Sequence, residues 1–361
     1  MRRTIGQTII VMGLLMGLPA AAAEAPETCT GEAQAADRAA AEQDLRLPPN
    51  PDQPTEIRVG LFVEDLRNID AVQSSYNFRG VVTVTWCDPR LAFDAVAQGH
   101  TEKVYVGTEV DALTEEIWWS QAYAANQIDK PQITERVMRV SSDGTVTRDL
   151  NASIRLSAAF NLQRFPFDRQ QLSFEIESFT WSSDELVFVD DATTTGFNAS
   201  FDMPEWTILS VTAREAQVDV VRSSRPFSRL ILTIDIERKS GFYLWKVLLP
   251  LLLIVALSWS VFWMVNERFG TRVRMSATGI LTVVAFQFVA SQNLPRVGYL
   301  TLMDKIMVIS FLLLAVTVVE SYFVSRYAEE EPDRALRIDH AARWIFPLGY
   351  IALIALILLS V

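Results

Sequence analysis

Six residues between positions 274 and 292 combine types that seldom share one helix face. Arg274, Thr278, Leu281, Ala285, Phe288 and Gln292 follow at alternating steps of four and three, the spacing that stacks side chains along one side of an α-helix. The segment that carries them, Arg272 to Leu294, is apolar enough to cross a bilayer. A helix bathed in lipid would not carry arginine at one end of a face and an amide at the other, because polar groups at membrane depth need water or protein beside them. Charge, hydroxyl, branched apolar, small, aromatic and amide, in that order, suit the wall of a narrow water path. Leu281 and Phe288 would form a hydrophobic constriction that closes by dewetting. One helix encloses nothing, so this reading requires several copies around an axis.

The rest of the chain must position that helix. Half of the 361 residues are hydrophobic and the mean hydropathy is +0.19, an average over two unlike halves. Up to about Ser240 the sequence is polar and acidic; beyond it come four apolar runs, Phe242 to Met264, Val273 to Asn293, Leu302 to Val324 and Trp344 to Val361. Each approaches the roughly 20 residues that cross about 30 Å of hydrocarbon. Arg268 and Arg272 fall in the first connection, Arg326, Arg334, Arg337 and Arg343 in the third, and only Arg296 and Lys305 near the second. That bias places the first and third connections inside and the N-terminal half outside.

The expected division is a signal peptide over 1–23, a flexible or short-helical leader over 24–54, a β-rich domain over 55–240 and a helical membrane domain over 241–361. Arg2 and Arg3, the apolar Ile9 to Leu18 and the small Ala21, Ala22 and Ala23 make the signal, whose style favours a periplasmic or cell-surface location. Short alternating runs separated by turn residues predict an all-β sandwich. They are Ile57 to Val63, Phe78 to Trp86, Ile133 to Val140, Thr145 to Leu156, Gln171 to Ile176, Trp206 to Ala213 and Leu230 to Glu237.

Charge and cysteine usage narrow the function classes. Of the net charge of −11, the membrane half contributes ten basic and eight acidic residues and the signal two arginines, leaving about −15 on the outer domain. That excludes nucleic acid as a partner and would gather cations at a pore mouth if the domain were repeated around an axis. Cys29 and Cys87 could pair in an oxidising compartment. With one in the leader and the other inside a predicted strand, two unpaired thiols are the expectation. Ser/His/Asp, Cys/His, metal-ligand and Gly-rich phosphate constellations are absent from the outer domain, so neither an enzyme nor a cofactor is expected.

Motifs in order along nearly all of Thr55 to Val361 resemble the pentameric ligand-gated ion channels, in their prokaryotic branch. They are Trp86-Cys87-Asp88-Pro89-Arg90-Leu91-Ala92-Phe93, Phe165-Pro166-Phe167-Asp168 with Gln170, Glu205-Trp206, and Arg238 followed by Phe242-Tyr243 and Pro250. Leu294-Pro295-Arg296 with Tyr299 completes the set. Ala158 and Leu172 stand where animal members carry the paired loop cysteines, as in the bacterial branch.

The resemblance implies an extracellular immunoglobulin-like sandwich above a four-helix transmembrane bundle, assembled in the lipid bilayer as a homopentamer around a central pore for inorganic ions. It implies opening by a small-molecule agonist or by protons. It also implies that Phe165, Pro166 and Asp168 press on the loop at Pro295, with Asp168 near Arg238 and Asp70, as a junction with two arrangements that carries the gating signal.

Two places depart from the family pattern. Gly270 and Thr271 occupy positions where cation-selective members carry an acidic ring, while Arg274 would face the lumen one turn further in, which leans selectivity towards anions. For the ligand, the resemblance places Phe179, Trp181 and Phe227 at the interface site. Ala125 and Val81 stand where others have aromatics, and Arg222 and Arg225 either meet an anionic ligand or are simply solvated. With only His100 and His340, histidine-based proton gating has little support, and carboxylate sensing stays open; Glu320 reads as a snorkelling or paired carboxylate. The alternatives are a non-conducting, membrane-anchored solute sensor and a proton-gated cation channel.

Overall fold

Alternation of buried and exposed side chains sets the outer domain. In a computed structural model that describes residues 29, 44–200, 202–221, 223–264, 269–291 and 297–359, eleven strands follow in order. They are β1 Thr55–Asp70, β2 Ser75–Cys87, β3 Glu102–Val106, β4 Ala122–Ala124, β5 Gln132–Ser141, β6 Thr145–Ser157, β7 Arg169–Ser178, β8 Leu186–Asp190, β9 Gly196–Phe197, β10 Trp206–Asp219 and β11 Pro226–Arg238. All seven strands expected from the sequence lie inside observed ones. Two short helices, α1 Ala95–Gln98 and α2 Thr108–Glu116, interrupt the early strands.

The strands form two sheets, one ordered β3-β5-β6-β2-β1-β8 with β9 added beside β1, the other β10-β11-β7-β4. Ile57, Val59, Leu61 and Val63 of β1 point inward at every second position, as do Leu230, Leu232, Ile234 and Ile236 of β11. Together with Leu172, Phe174 and Ile176 of β7 they make one core between the sheets, the arrangement of a sandwich. The Tyr76 hydroxyl crosses that core to donate to the Ser173 carbonyl at 2.7 Å. Burial pushes its pKa above the usual phenol range.

The expectation of unpaired cysteines is overturned: Cys29 and Cys87 are joined, with Cα atoms 5.7 Å apart. The leader is docked where it meets the sandwich. Arg90, itself paired with Asp88, donates to the carbonyls of Asp44 and Leu47 at 3.3 and 2.9 Å. The Trp118 N–H donates to the Leu45 carbonyl at 2.6 Å. The end of β2 is therefore beside the leader, within reach of Cys29. The expected signal peptide lies outside the described residues.

Four helices follow: α3 Gly241–Trp263, α4 Phe269–Ser291, α5 Leu302–Glu330 and α6 Pro332–Leu359. Pro250 has no N–H to continue an α-helix, and the preceding turn, Leu244–Leu248, widens so that Leu249 donates to the Leu244 carbonyl. Among the described residues α3, α5 and α6 contain spans long and apolar enough to cross a membrane. α4 has the length, 23 residues, but carries Arg272, Arg274 and three threonines. The sequence places the last span at Trp344; the helix starts twelve residues earlier, at Pro332, because the segment before Trp344 turns Ala335, Asp339 and Ala342 inward against the bundle. Arg334, Arg337 and Arg343, read as loop charges, therefore belong to α6.

Candidate functional site

α4 has two unlike sides. Arg272, Ser276, Gly279 and Val283 are buried against the other helices. A Cβ at Gly279 would lie 2.1 Å from Ser258 Oγ, so α3 and α4 approach as closely as they do only because this position has no side chain. On the opposite side Arg274, Thr278 and Ala285 are exposed, with Leu281 and Phe288 69% and 73% exposed. The Thr278 hydroxyl donates back to the Arg274 carbonyl at 2.8 Å. Five of the six stripe residues thus share one face that the chain itself leaves uncovered; Gln292 lies outside the described residues.

The foot of α4 holds a group that the sequence reading missed. Arg272, read as a loop charge, is 2% exposed and pairs with Asp339 of α6 at 2.6 Å and Glu320 of α5 at 3.4 Å. Glu320 is therefore paired rather than snorkelling. The signal was available in part: Arg272 and Arg274 are two residues apart, so a helix must send them to different sides.

At the junction of the two domains, the β6–β7 loop reaches down into the helices. Leu162 and Phe165 are buried in the same core as Leu251, Val255, Leu302 and Met303. The Phe165–Pro166 peptide bond is cis, and the Phe165 ring meets Tyr243 edge-on with centroids 4.6 Å apart. The neck of the loop, where Ala158 and Leu172 replace cysteines, is closed by Gln170. Its side chain accepts from the Asn161 N–H at 3.0 Å and donates to the Asn161 carbonyl at 2.7 Å.

Asp168 and Arg238 form a two-pronged ion pair, and the Arg238 guanidinium also lies 4.1 Å from the Trp206 ring and 5.0 Å from that of Phe165. Asp70 is not a third member of that pair. Its carboxylate accepts from the backbone N–H groups of Val72 and Gln73, closing the β1–β2 turn. Asp70 and Arg238 instead share the wall of a cavity of about 1050 Å³ with Phe165, Glu205 and Tyr243. Pro295, the expected target of the loop, lies outside the described residues. The contacts that are described go just beyond it: the Leu162 N–H donates to the Tyr299 hydroxyl and the Leu302 N–H to the Gln163 carbonyl, both at 2.9 Å.

The expected ligand residues do not converge. Phe179 is 63% exposed, but Phe227 is buried, and the Trp181 indole donates inward to the Trp119 carbonyl at 3.1 Å. Arg225 is exposed at the β10–β11 turn, and Arg222 lies outside the described residues. What accompanies Phe179 is Tyr123, its ring centroid 5.9 Å away, whose hydroxyl donates to Glu177 at 3.2 Å. Glu177 is fully buried and bonded to Arg229 at 2.6 Å, and Arg229 also reaches Glu175 at 2.8 Å. This acid–aromatic cluster was missed because its members come from β4, β7 and β11, which only the sheet order β11-β7-β4 brings side by side.

Compared with known proteins, residues 34–240 match the neurotransmitter-gated ion-channel ligand binding domain, and residues 247–338 match the neurotransmitter-gated ion-channel transmembrane region. The chain belongs to the neurotransmitter-gated ion-channel family. Among relatives of this channel is a proton-gated ion channel of Gloeobacter violaceus, 28% identical over 86% of this chain and 84% of its own length. Others are the gamma-aminobutyric acid receptor subunit beta-4 of Gallus gallus, 25% identical over 78% of this chain, and pH-sensitive chloride channel 2 of Anopheles gambiae, 24% identical over 68%. The channel spans 57% and 42% of the length of those two animal proteins. It is a ligand-gated ion channel, not an enzyme, a membrane protein with its β-sandwich outside, and its family consists of pentamers opened by small ligands or protons.

Proposed function

We propose that five copies assemble in a bacterial inner membrane with residues 24–240 in the periplasm after removal of 1–23, and that α4 of each copy lines the pore. The observation that carries this reading is the exposed Arg274, Thr278, Leu281, Ala285 and Phe288 stripe, opposite the buried Arg272, Ser276, Gly279 and Val283 on the same helix. Five-fold repetition would place a ring of Arg274 guanidinium groups at the inner end, which attracts anions at close range while the acidic outer domain acts from a distance and is screened by salt. Leu281 and Phe288 form the gate. The β6–β7 loop, through Phe165, Pro166 and Asp168 with Arg238, passes the motion of the sandwich to the head of α5 and to the segment around Pro295, and Asp70 shapes the cavity beside it.

The agonist site we place around Phe179, on the face where Tyr123 and Glu177 meet it, with Arg225 and the backbone of Phe227 at its edge and Trp181 as its inner support. The exposed face of the Phe179 ring attracts a small amine by cation–π contact, while Glu177, paired with Arg229, holds Tyr123 beside it. A second reading, opening by protons, is favoured by the likeness to a proton-gated channel over 86% of this chain and 84% of that protein.

The test is the reversal potential of purified protein in bilayers under a potassium chloride gradient, across pH and a panel of amines and carboxylates. Wild type should reverse near the chloride potential and Arg274→Ala should lose that preference. Reversal near the potassium potential in wild type would refute anion passage. Silence of both under every condition would favour the non-conducting sensor.

A further inference from the structure

Three ionisable side chains from three helices meet at the buried foot of α4. Arg272 donates through Nη2 to Asp339 Oδ1 at 2.6 Å and through Nη1 to Asp339 Oδ2 at 3.0 Å and to the Met264 carbonyl at 3.2 Å. Its Nη2 also lies 3.4 Å from Glu320 Oε2. Asp339 and Glu320 are as hidden as the arginine, their side chains 3% and 8% exposed. Charges inside a membrane domain persist only when paired, so Arg272 cannot swing outward without stranding two carboxylates.

That anchor has a rotational consequence. Successive residues on an α-helix advance about 100°, so Arg274 lies roughly 200° from Arg272, and Thr278, Leu281, Ala285 and Phe288 all fall within about 40° of Arg274. Ser276, Gly279 and Val283 fall close to Arg272 and are buried with it. Ser276 and Val283 add no ion pair, and Gly279, where α3 comes close, limits a turn of the helix only by shape. Among the described residues, the ion pairs of α4 are those of Arg272. They are the directional bonds that set which way the helix faces.

We propose that Asp339, on α6, is a positioning residue of the pore: by holding Arg272 inside the bundle it fixes the rotation of α4 and so turns Arg274 and its stripe towards the water path. The proposal rests on the reading of that stripe as the pore lining. It makes α6, which carries none of the stripe residues, a determinant of what the lumen presents to ions.

Thiol labelling tests it, because the described residues include no free cysteine to interfere. Thr278→Cys and Ser276→Cys proteins in liposomes are exposed to a water-soluble, sulfonate-bearing methanethiosulfonate, and labelling is followed by mass spectrometry, which does not depend on conduction. With Asp339 intact, position 278 should label at least tenfold faster than 276. With Asp339→Asn the ratio should fall towards one, and the exchanged pair Arg272→Asp with Asp339→Arg should restore it. An unchanged ratio in assembled Asp339→Asn, or an assembled exchanged pair with a ratio near one, would overturn the proposal. Should Asp339→Asn fail to assemble, the exchanged pair decides alone. A ratio near one with Asp339 intact would overturn the pore reading and this proposal together, whereas the preceding outcomes leave the pore reading standing.

Discussion

Asp168 and Arg238 face each other fork to fork, Oδ1 on Nε at 2.8 Å and Oδ2 on Nη2 at 3.2 Å, and the Arg238 N–H also donates to the Asp168 carbonyl at 3.1 Å. Arg238 ends β11, three residues before the first membrane helix, and Asp168 ends the loop whose Phe165 is sunk among the helices. The pair thus joins the last strand of one domain to the loop that touches the other. Removing one partner strands a buried charge, so Asp168→Asn should lower stability by about 3–5 kcal/mol. Thermal unfolding of the purified protein checks this. A cost no greater than about 1 kcal/mol, the usual value for an exposed pair, would show that the pair is solvated.

Leu281 is exposed in the stripe, so a polar replacement should leave folding intact and change only the hydration of the constriction. Leu281→Ser should leak in the absence of agonist, with a resting current at least tenfold above that of the wild type in the same bilayers. A resting current equal to that of wild type would place the gate elsewhere.

Phe179 is likewise exposed and meets Tyr123 edge-on. Phe179→Ala should therefore cost only about 0.5 kcal/mol or less in stability, as surface substitutions do. Loss of a cation–π contact of about 1 kcal/mol, the upper value at an exposed site, should raise the half-maximal concentration of an amine agonist roughly fivefold. Concentration–response curves beside melting curves separate the two effects; an unmoved response would detach Phe179 from the ligand.

Asp191 follows β8 and holds the turn towards β9. Burial works to raise its pKa, but bonds from the Thr193 and Thr194 hydroxyls and the Thr193 N–H, with the charge of Arg58, outweigh it and hold the carboxyl below its ordinary value. A carboxylate depressed by folding adds stability above its unfolded pKa of about 3.9, and that stability is lost as pH falls through the folded value. Asp191→Asn should therefore be less stable than wild type at neutral pH, with the gap narrowing below about pH 4. Melting temperatures of both proteins from pH 7 to 3 test the sign; a gap that widened on acidification would contradict it.

The Cys29–Cys87 bond joins positions 58 apart in sequence. By loop-closure entropy, a crosslink of that span stabilises by about 4 kcal/mol. Cys29→Ser should lower the melting temperature, and a reductant should lower that of wild type to the same level without affecting the variant. Equal melting of oxidised and reduced wild type would show that the leader is held by its hydrogen bonds to Arg90 and Trp118 alone.

What was legible in the sequence is what depends on neighbours along the chain. Alternation by two marked β1, β2, β5, β6, β7, β10 and β11, and the steps of four and three marked the exposed stripe of α4, because side-chain direction in a strand or helix follows from backbone geometry alone. Long apolar runs marked the membrane half, because hydrocarbon thickness sets a length that can be counted in residues. Asp168 and Arg238 were named together only through the resemblance, since seventy residues separate them.

Tertiary structure decided the partnerships. Arg272 looked like one loop arginine among several until folding set it against Asp339, sixty-seven positions away, and Glu320. Glu177 was one carboxylate in an acidic domain until β4 and β11 closed on either side of β7 with Tyr123 and Arg229. Cys87 was a thiol in a strand until the leader docked beside it. Whether a charge is buried and paired or free in water depends on the dielectric and the partners that distant segments bring to it, and no periodicity along the chain encodes that distance.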